Sequence, residues 1–224
     1  ATSAYKVENL TDDVAAIYDA LGARRRLLIA HDWGAIVAWV FAMRKLRPLD
    51  GLVIMNVPHP AVFSQAMRKG GGQLKKSWYV IFFQIPWLPE KMLTARRAEG
   101  VARAFSGMAI DKCRFPDEVL EVYRANALKP GAMTAMITGY RANFAGGLTP
   151  WSDVDHPPNE TPTLMVWGEE DTALGIELTE GYGPYVKDFT LHRLPGVSHW
   201  VQQEAPEAVN ARLEAWLGEK GLTG

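Results

Sequence analysis

Asp32 lies in Leu27-Leu28-Ile29-Ala30-His31-Asp32-Trp33-Gly34, an apolar strand running into a sharp turn, with Ala30 two residues before it and Gly34 two residues after. This is the spacing of a nucleophile elbow. The central residue of such a turn is forced into a strained backbone conformation, and only small flanking side chains let the neighbouring backbones approach closely enough. The residue type at the tip decides which carbon can be attacked. Serine attacking a saturated carbon would leave an ether that water does not readily cleave. A carboxylate leaves an ester, whose carbonyl a second water can attack. Asp32 therefore points to epoxides or alkyl halides rather than to esters. Taken alone, Asp32 also reads as the cap of the helix that follows, a common role for Asp after a strand.

Two further groups give Asp32 the partners such chemistry requires. Asp171 follows the apolar stretch Thr163 to Trp167, in Val166-Trp167-Gly168-Glu169-Glu170-Asp171, and His199 follows the strand-like Phe189 to Leu194, in Pro195-Gly196-Val197-Ser198-His199-Trp200. The order nucleophile, acid, histidine is that of the alpha/beta-hydrolase triad, and each member falls in a loop after a strand. In an open parallel sheet, loops at the carboxyl ends of the strands share one crevice, so three groups distant in sequence are expected to converge.

The elements that must position them follow from pattern. Helix is expected from about Leu10 to Leu21, over Ala35 to Arg44 and from about Ala205 to Leu217. Strands are expected over Arg26 to Ala30, Gly51 to Asn56, Thr163 to Trp167 and Phe189 to Leu194. Helical segments fill residues 61–147, and Asp153 to Asn159, with two prolines, reads as the stiff return to the sheet. Gly70-Gly71-Gly72 lies near the other junction and lacks the strand-to-helix context of a phosphate loop. The 224 residues suffice for one core with an insertion. A formal net charge of -1 gives no basic field for nucleic acid or anionic lipid. The single cysteine, Cys113, reads as structural, excludes an internal disulfide and suits the cytoplasm. The N-terminus lacks the pattern of a signal peptide, and no apolar run reaches membrane-spanning length. His31, His59, His156 and His192 show no metal-ligand spacing and read as structural or surface residues, so no metal and no cofactor are expected.

His31-Asp32-Trp33-Gly34, followed by Asn56-Val57-Pro58-His59-Pro60, resembles the soluble epoxide hydrolase branch of the alpha/beta-hydrolase superfamily over essentially the whole chain. The resemblance implies an α/β fold, a mostly parallel sheet flanked by helices, with residues 1–60 and 151–224 as the core and a helical cap over 61–150. It implies that two cap tyrosines hydrogen-bond the epoxide oxygen as the ring opens. Trp78-Tyr79-Val80-Ile81-Phe82-Phe83 and Thr138-Gly139-Tyr140-Arg141-Ala142-Asn143 resemble the two motifs, which puts Tyr79 and Tyr140 in that role. Chemistry explains the requirement: an epoxide oxygen leaves as an alkoxide and needs a proton or a strong donor, which a phenol supplies without a charge. Tyr79 and Tyr140 also read as core aromatics, since Tyr79 lies in an apolar run with Phe82 and Phe83 at helical spacing; Tyr123 matches neither motif and reads as structural. Trp33 is expected to give a backbone N–H to the oxyanion and, with Trp78, Phe82, Phe83 and Trp200, to line a lipophilic pocket, with Trp87 nearby.

The resemblance further implies that complete members carry earlier strands and a His-Gly-x-Pro loop, absent from this sequence, that supplies a second oxyanion donor. The strand at Arg26 to Ala30 is apolar on both faces, as suits the centre of a sheet, yet would lack a neighbour on one side. The expected partners are a small epoxide and water, with a homo-oligomer or swapped dimer following from that free edge. A haloalkane dehalogenase sharing the nucleophile, and a catalytically incomplete chain, are the competing expectations.

Overall fold

The computed structural model describes residues 1–150 and 157–223. Four parallel strands, β1 (Leu27–His31), β2 (Gly51–Met55), β3 (Thr163–Gly168) and β4 (Phe189–Leu194), form one sheet in the order β1-β2-β3-β4. Leu27 is in register with Gly51, Leu52 with Thr163, and Thr163 with Phe189, so all four carboxyl ends lie on the same side. The strand at Thr163 runs one residue beyond its expected end, to Gly168, and the first helix starts earlier than expected, α1 spanning Val7–Leu21. The expected connector at 153–159, as far as His156, lies outside the described residues.

Both faces of the sheet are apolar, and alternation sorts them. Leu52 and Ile54 of β2, with Met165 and Trp167 of β3, pack on one face against Ala35, Ala38 and Trp39 of α2 (Asp32–Met43). Val53, Met55, Leu164 and Val166 point to the other face and meet Val209 and Trp216 of the last helix, Pro206–Glu219. The result is a helix–sheet–helix sandwich. Trp39, Trp167 and Trp216 are wholly buried, each removing on the order of 150–250 Å² from water.

Strand β1 does not sit where its composition suits it. It forms an edge of the sheet, only partly covered, with Ile29 45% exposed.

Between β2 and β3 the chain builds a helical insertion: α3 (Pro60–Lys69), α4 (Gly72–Lys76), α5 (Trp78–Phe82), α6 (Leu88–Ser106), α7 (Asp117–Ala127) and α8 (Ala132–Phe144). Val62 and Ala66 of α3 still pack on the sheet core. Helix α6 is broken at Ala95 to Ala98, where the backbone leaves helical angles. The later helices have small cores of their own: Ala98, Ala127, Met133 and Ile137 in one, and Ala102, Ala109, Phe115 and Leu120 in the other. Cys113, read from sequence as structural, is an exposed free thiol. Among the described residues no helix is long and apolar enough to cross a membrane, and no group of three or more His, Cys, Asp or Glu is placed to hold a metal.

Candidate active site

Asp32 opens α2 with a φ of 48°, in the left-handed region that residues bearing a Cβ rarely occupy. The helix N-cap is His31, and no side-chain cap bond is made. Asp32 therefore does not perform the alternative role of helix cap; the strained turn instead lifts its carboxylate to the carboxyl end of the sheet, 41% exposed.

Asp171 is the most firmly held of the three acidic and basic groups. Its Oδ1 accepts from the backbone N–H groups of Ala173 at 2.8 Å and Leu174 at 2.9 Å, its Oδ2 from Asn56 Nδ2 at 2.8 Å, and the same Oδ2 faces His199 Nδ1 at 2.7 Å. Burial alone would favour the neutral acid, but the bonds to His199 and Asn56 outweigh it and keep the carboxyl below the usual carboxylate range. With Nδ1 engaged, His199 presents Nε2 to Asp32 Oδ1 at 3.6 Å, too long for a direct hydrogen bond and short enough for strong charge interaction. Burial opposes a charged imidazole, yet the bond to Asp171 and the negative charges of Asp171 and Asp32 push His199 up to about 10. Burial likewise disfavours the Asp32 carboxylate, and His199, His31 and the Trp33 backbone N–H together hold it below its ordinary value.

The loops bearing these groups are fitted closely. A Cβ on Gly168 would meet Ser198 O at 2.1 Å and Val197 O at 2.6 Å, so glycine at the end of β3 is what lets the His199 loop lie against the Asp171 loop. Glu204, 4% exposed, accepts from Ser198 N and Oγ and from the Ile110 and Asp111 N–H groups of the insertion. Asn56, fully buried at a φ of 46°, accepts from Gly168 N at 2.9 Å while donating to Asp171. Asparagine tolerates this left-handed angle better than most residues. His31 is pulled down to about 4 by burial and by its neighbour His199, and its neutral ring directs Nε2 at the His199 carbonyl at 2.8 Å.

The insertion closes over Asp32 with aromatic rings. Tyr79 on α5 and Tyr140 on α8 meet edge to face, centroids 6.0 Å apart, and both line the two cavities that meet at Asp32. Burial, followed by the negative charge of Asp32, raises both phenols above their ordinary pKa, so each keeps its proton. The smaller cavity is apolar and includes Trp33, Phe63 and Leu174; the larger and more open one includes Trp78, Phe82, Phe83, His199 and Trp200. Trp33 stands edge-on to Tyr140, ring centroids 4.9 Å apart. Trp87, expected beside the pocket, is 67% exposed and lines neither cavity. Tyr123 stacks on Phe105 and bonds Gln203 rather than facing Asp32.

Sequence reading missed the groups that hold the others in place. Arg141 ties α8 to the segment after α5 by bonding the carbonyls of Phe83 and Ile85 and the carboxylate of Glu90. Asn143 ties the same helix to the start of α1, accepting from Val7 N at 2.9 Å and donating to Tyr5 O at 2.8 Å. Arg141, Asn143 and Asn56 all stood inside motifs that were quoted for other residues. Glu204 and Gln73 carried no local signal, because a buried polar role depends on partners 94 and 102 residues away.

Comparison with known proteins places this architecture. The alpha/beta hydrolase family model matches residues 2–212. Epoxide hydrolase 4 of Homo sapiens is 36% identical over 221 residues, which are 96% of this chain and 60% of that protein. Epoxide hydrolase 1 of Caenorhabditis elegans is 32% identical over 218 residues, 96% of this chain and 53% of that protein. The chain thus spans between half and two thirds of the length of these relatives. A crystal structure of a Bacillus megaterium epoxide hydrolase with an inhibitor superimposes with a TM-score of 0.88 at 25% identity, over 97% of this chain and 78% of that one. With the sheet, the elbow turn and the matched length in agreement, the chain belongs to the alpha/beta hydrolase family and carries its fold.

Proposed function

We propose that this protein hydrolyses a lipophilic epoxide to a vicinal diol through an ester formed on Asp32. The observation that carries the reading is the facing of an ionised carboxylate on a strained turn by two protonated phenols across one apolar cavity. In the first step Asp32 attacks an epoxide carbon while Tyr79 and Tyr140 donate to the oxygen; the C–O bond breaks and the oxygen takes a proton from one of the phenols, which is left as a phenolate. In the second, His199, oriented by Asp171, removes a proton from water. That water adds to the Asp32 carbonyl, with the Trp33 N–H beside the developing oxyanion; the acyl C–O bond breaks, the diol leaves as the carboxylate is restored, and the proton held by His199 returns through solvent to the phenolate.

Names of the relatives support the same reaction class, and the apolar lining by Trp78, Phe82, Phe83 and Trp200 supports a lipophilic substrate. An alkyl halide would need only weak N–H donors for its departing anion, whereas two phenols line the cavity beside Asp32 here. The helical insertion would serve as the cap. A reducing, cytoplasmic setting is supported by the single unpaired cysteine.

The test is a single turnover of styrene oxide with rapid quenching and mass measurement of the protein. Asp32→Asn is expected to form neither ester nor diol, and His199→Gln to accumulate the ester. Tyr79→Phe or Tyr140→Phe should each slow ester formation by about tenfold to a hundredfold, since one phenol remains. A His199→Gln variant releasing diol at the parent rate would remove the second step, and chloride release from a chloroalkane without loss in the tyrosine variants would favour a dehalogenase.

A further inference from the structure

The glycine turn between α3 and α4 leads to a residue that the proposed chemistry does not use. Gly70 and Gly71 adopt φ values of 70° and 92°, conformations open to glycine at little cost, and they reverse the chain so that Gln73 enters the interior at 2% exposure. Every polar atom of its amide is engaged. Oε1 accepts from Gly175 N at 2.9 Å, and Nε2 donates to Ala173 O at 3.0 Å and to Ser77 Oγ at 3.0 Å. Gly175 and Ala173 belong to the loop that begins at Asp171, and Ser77 is the N-cap of α5, two residues before Tyr79. Lys76, on the same short helix, donates to the Asp171 carbonyl at 3.0 Å.

A buried amide is costly unless its bonds are made, and a fully bonded one fixes geometry that an apolar side chain would leave free. The two groups that Gln73 joins come from distant parts of the chain: the acid loop follows β3, and Tyr79 stands in the insertion. We propose that Gln73 is a positioning residue that sets Tyr79 in register with the Asp171 loop, so that the donor to the opening epoxide oxygen and the triad are aligned by one side chain. The proposal rests on the reading of Tyr79 as a ring-opening donor. It differs from a purely structural role in that loss of Gln73 acts through Tyr79.

The experiment is a double-mutant cycle on the rate of ester formation with styrene oxide, using Gln73→Leu, Tyr79→Phe and the pair, with thermal unfolding followed in parallel. If Gln73 acts through Tyr79, Gln73→Leu slows ester formation by about tenfold in the parent and by less than about twofold in the Tyr79→Phe background, the non-additivity expected of groups working as one unit. Equal losses in both backgrounds overturn the proposal and leave the role of Tyr79 standing. A Tyr79→Phe variant that forms ester at the parent rate overturns both. Should Gln73→Leu fail to fold, Ser77→Ala, which cuts the link toward α5 and besides it a long contact to Met67 Sδ at 3.9 Å, enters the same cycle under the same criterion.

Discussion

Asp32 and His199 are coupled by charge, and the coupling changes sign of purpose during the proposed reaction. In the resting site His199 lies between two carboxylates, which raise its pKa, and in return it keeps Asp32 ionised and ready to attack. Once Asp32 becomes an ester its charge is gone. His199 then loses one of the two anions that favoured its proton and becomes a more willing base, at the step that calls for one. Stability should report the resting arrangement. A histidine raised from 6.5 to about 10 on folding contributes stability that is fully present below pH 6.5 and lost as pH rises through about 10. Asp32 and Asp171, lowered from 3.8, contribute stability that is present above that value and lost in more acid solution. Chemical unfolding of the parent and of His199→Gln should therefore differ most near pH 6.5, and the difference should shrink by about pH 10; a gap that widens with pH would contradict the assigned charges.

At the level of elements, the site depends on how closely two strand ends can place their loops. β3 ends in Gly168 and β4 in Leu194, and the segments after them carry Asp171 and His199. A Cβ at Gly168 would stand 2.1 Å from Ser198 O, which is backbone and cannot rotate away. Gly168→Ala is expected to cost roughly 1–3 kcal/mol, as other forced overpackings do. It should also slow ester hydrolysis more than ester formation, because the His199–Asp171 pair is disturbed while Asp32 and the tyrosines stay on other elements. Unfolding in urea and separate timing of the two steps check both parts. Equal slowing of both steps would mean that the loops move with the insertion rather than apart from it.

For the whole molecule, the uncovered flank of β1 is the conspicuous feature. Leu27 to His31 pair with β2 on one side, and Ile29 is 45% exposed. The insertion is joined to the sheet at separate points, by Gln73 and Lys76 at the acid loop and by Glu204 at the histidine loop, so its placement over Asp32 does not depend on apolar contact alone.

What the sequence determined by itself was whatever depends on neighbours along the chain. The elbow at Asp32 is written in the small residues two positions away, the strand Phe189–Leu194 has its expected limits, and the order of Asp32, Asp171 and His199 follows from loops after apolar strands. Tertiary structure alone decided what depends on partners far apart. It turned Trp87 out to solvent and left Cys113 exposed. It also gave Asn56, Gln73 and Glu204 their roles, because hydrogen bonds are local in space and leave no periodicity along a chain that must fold to make them.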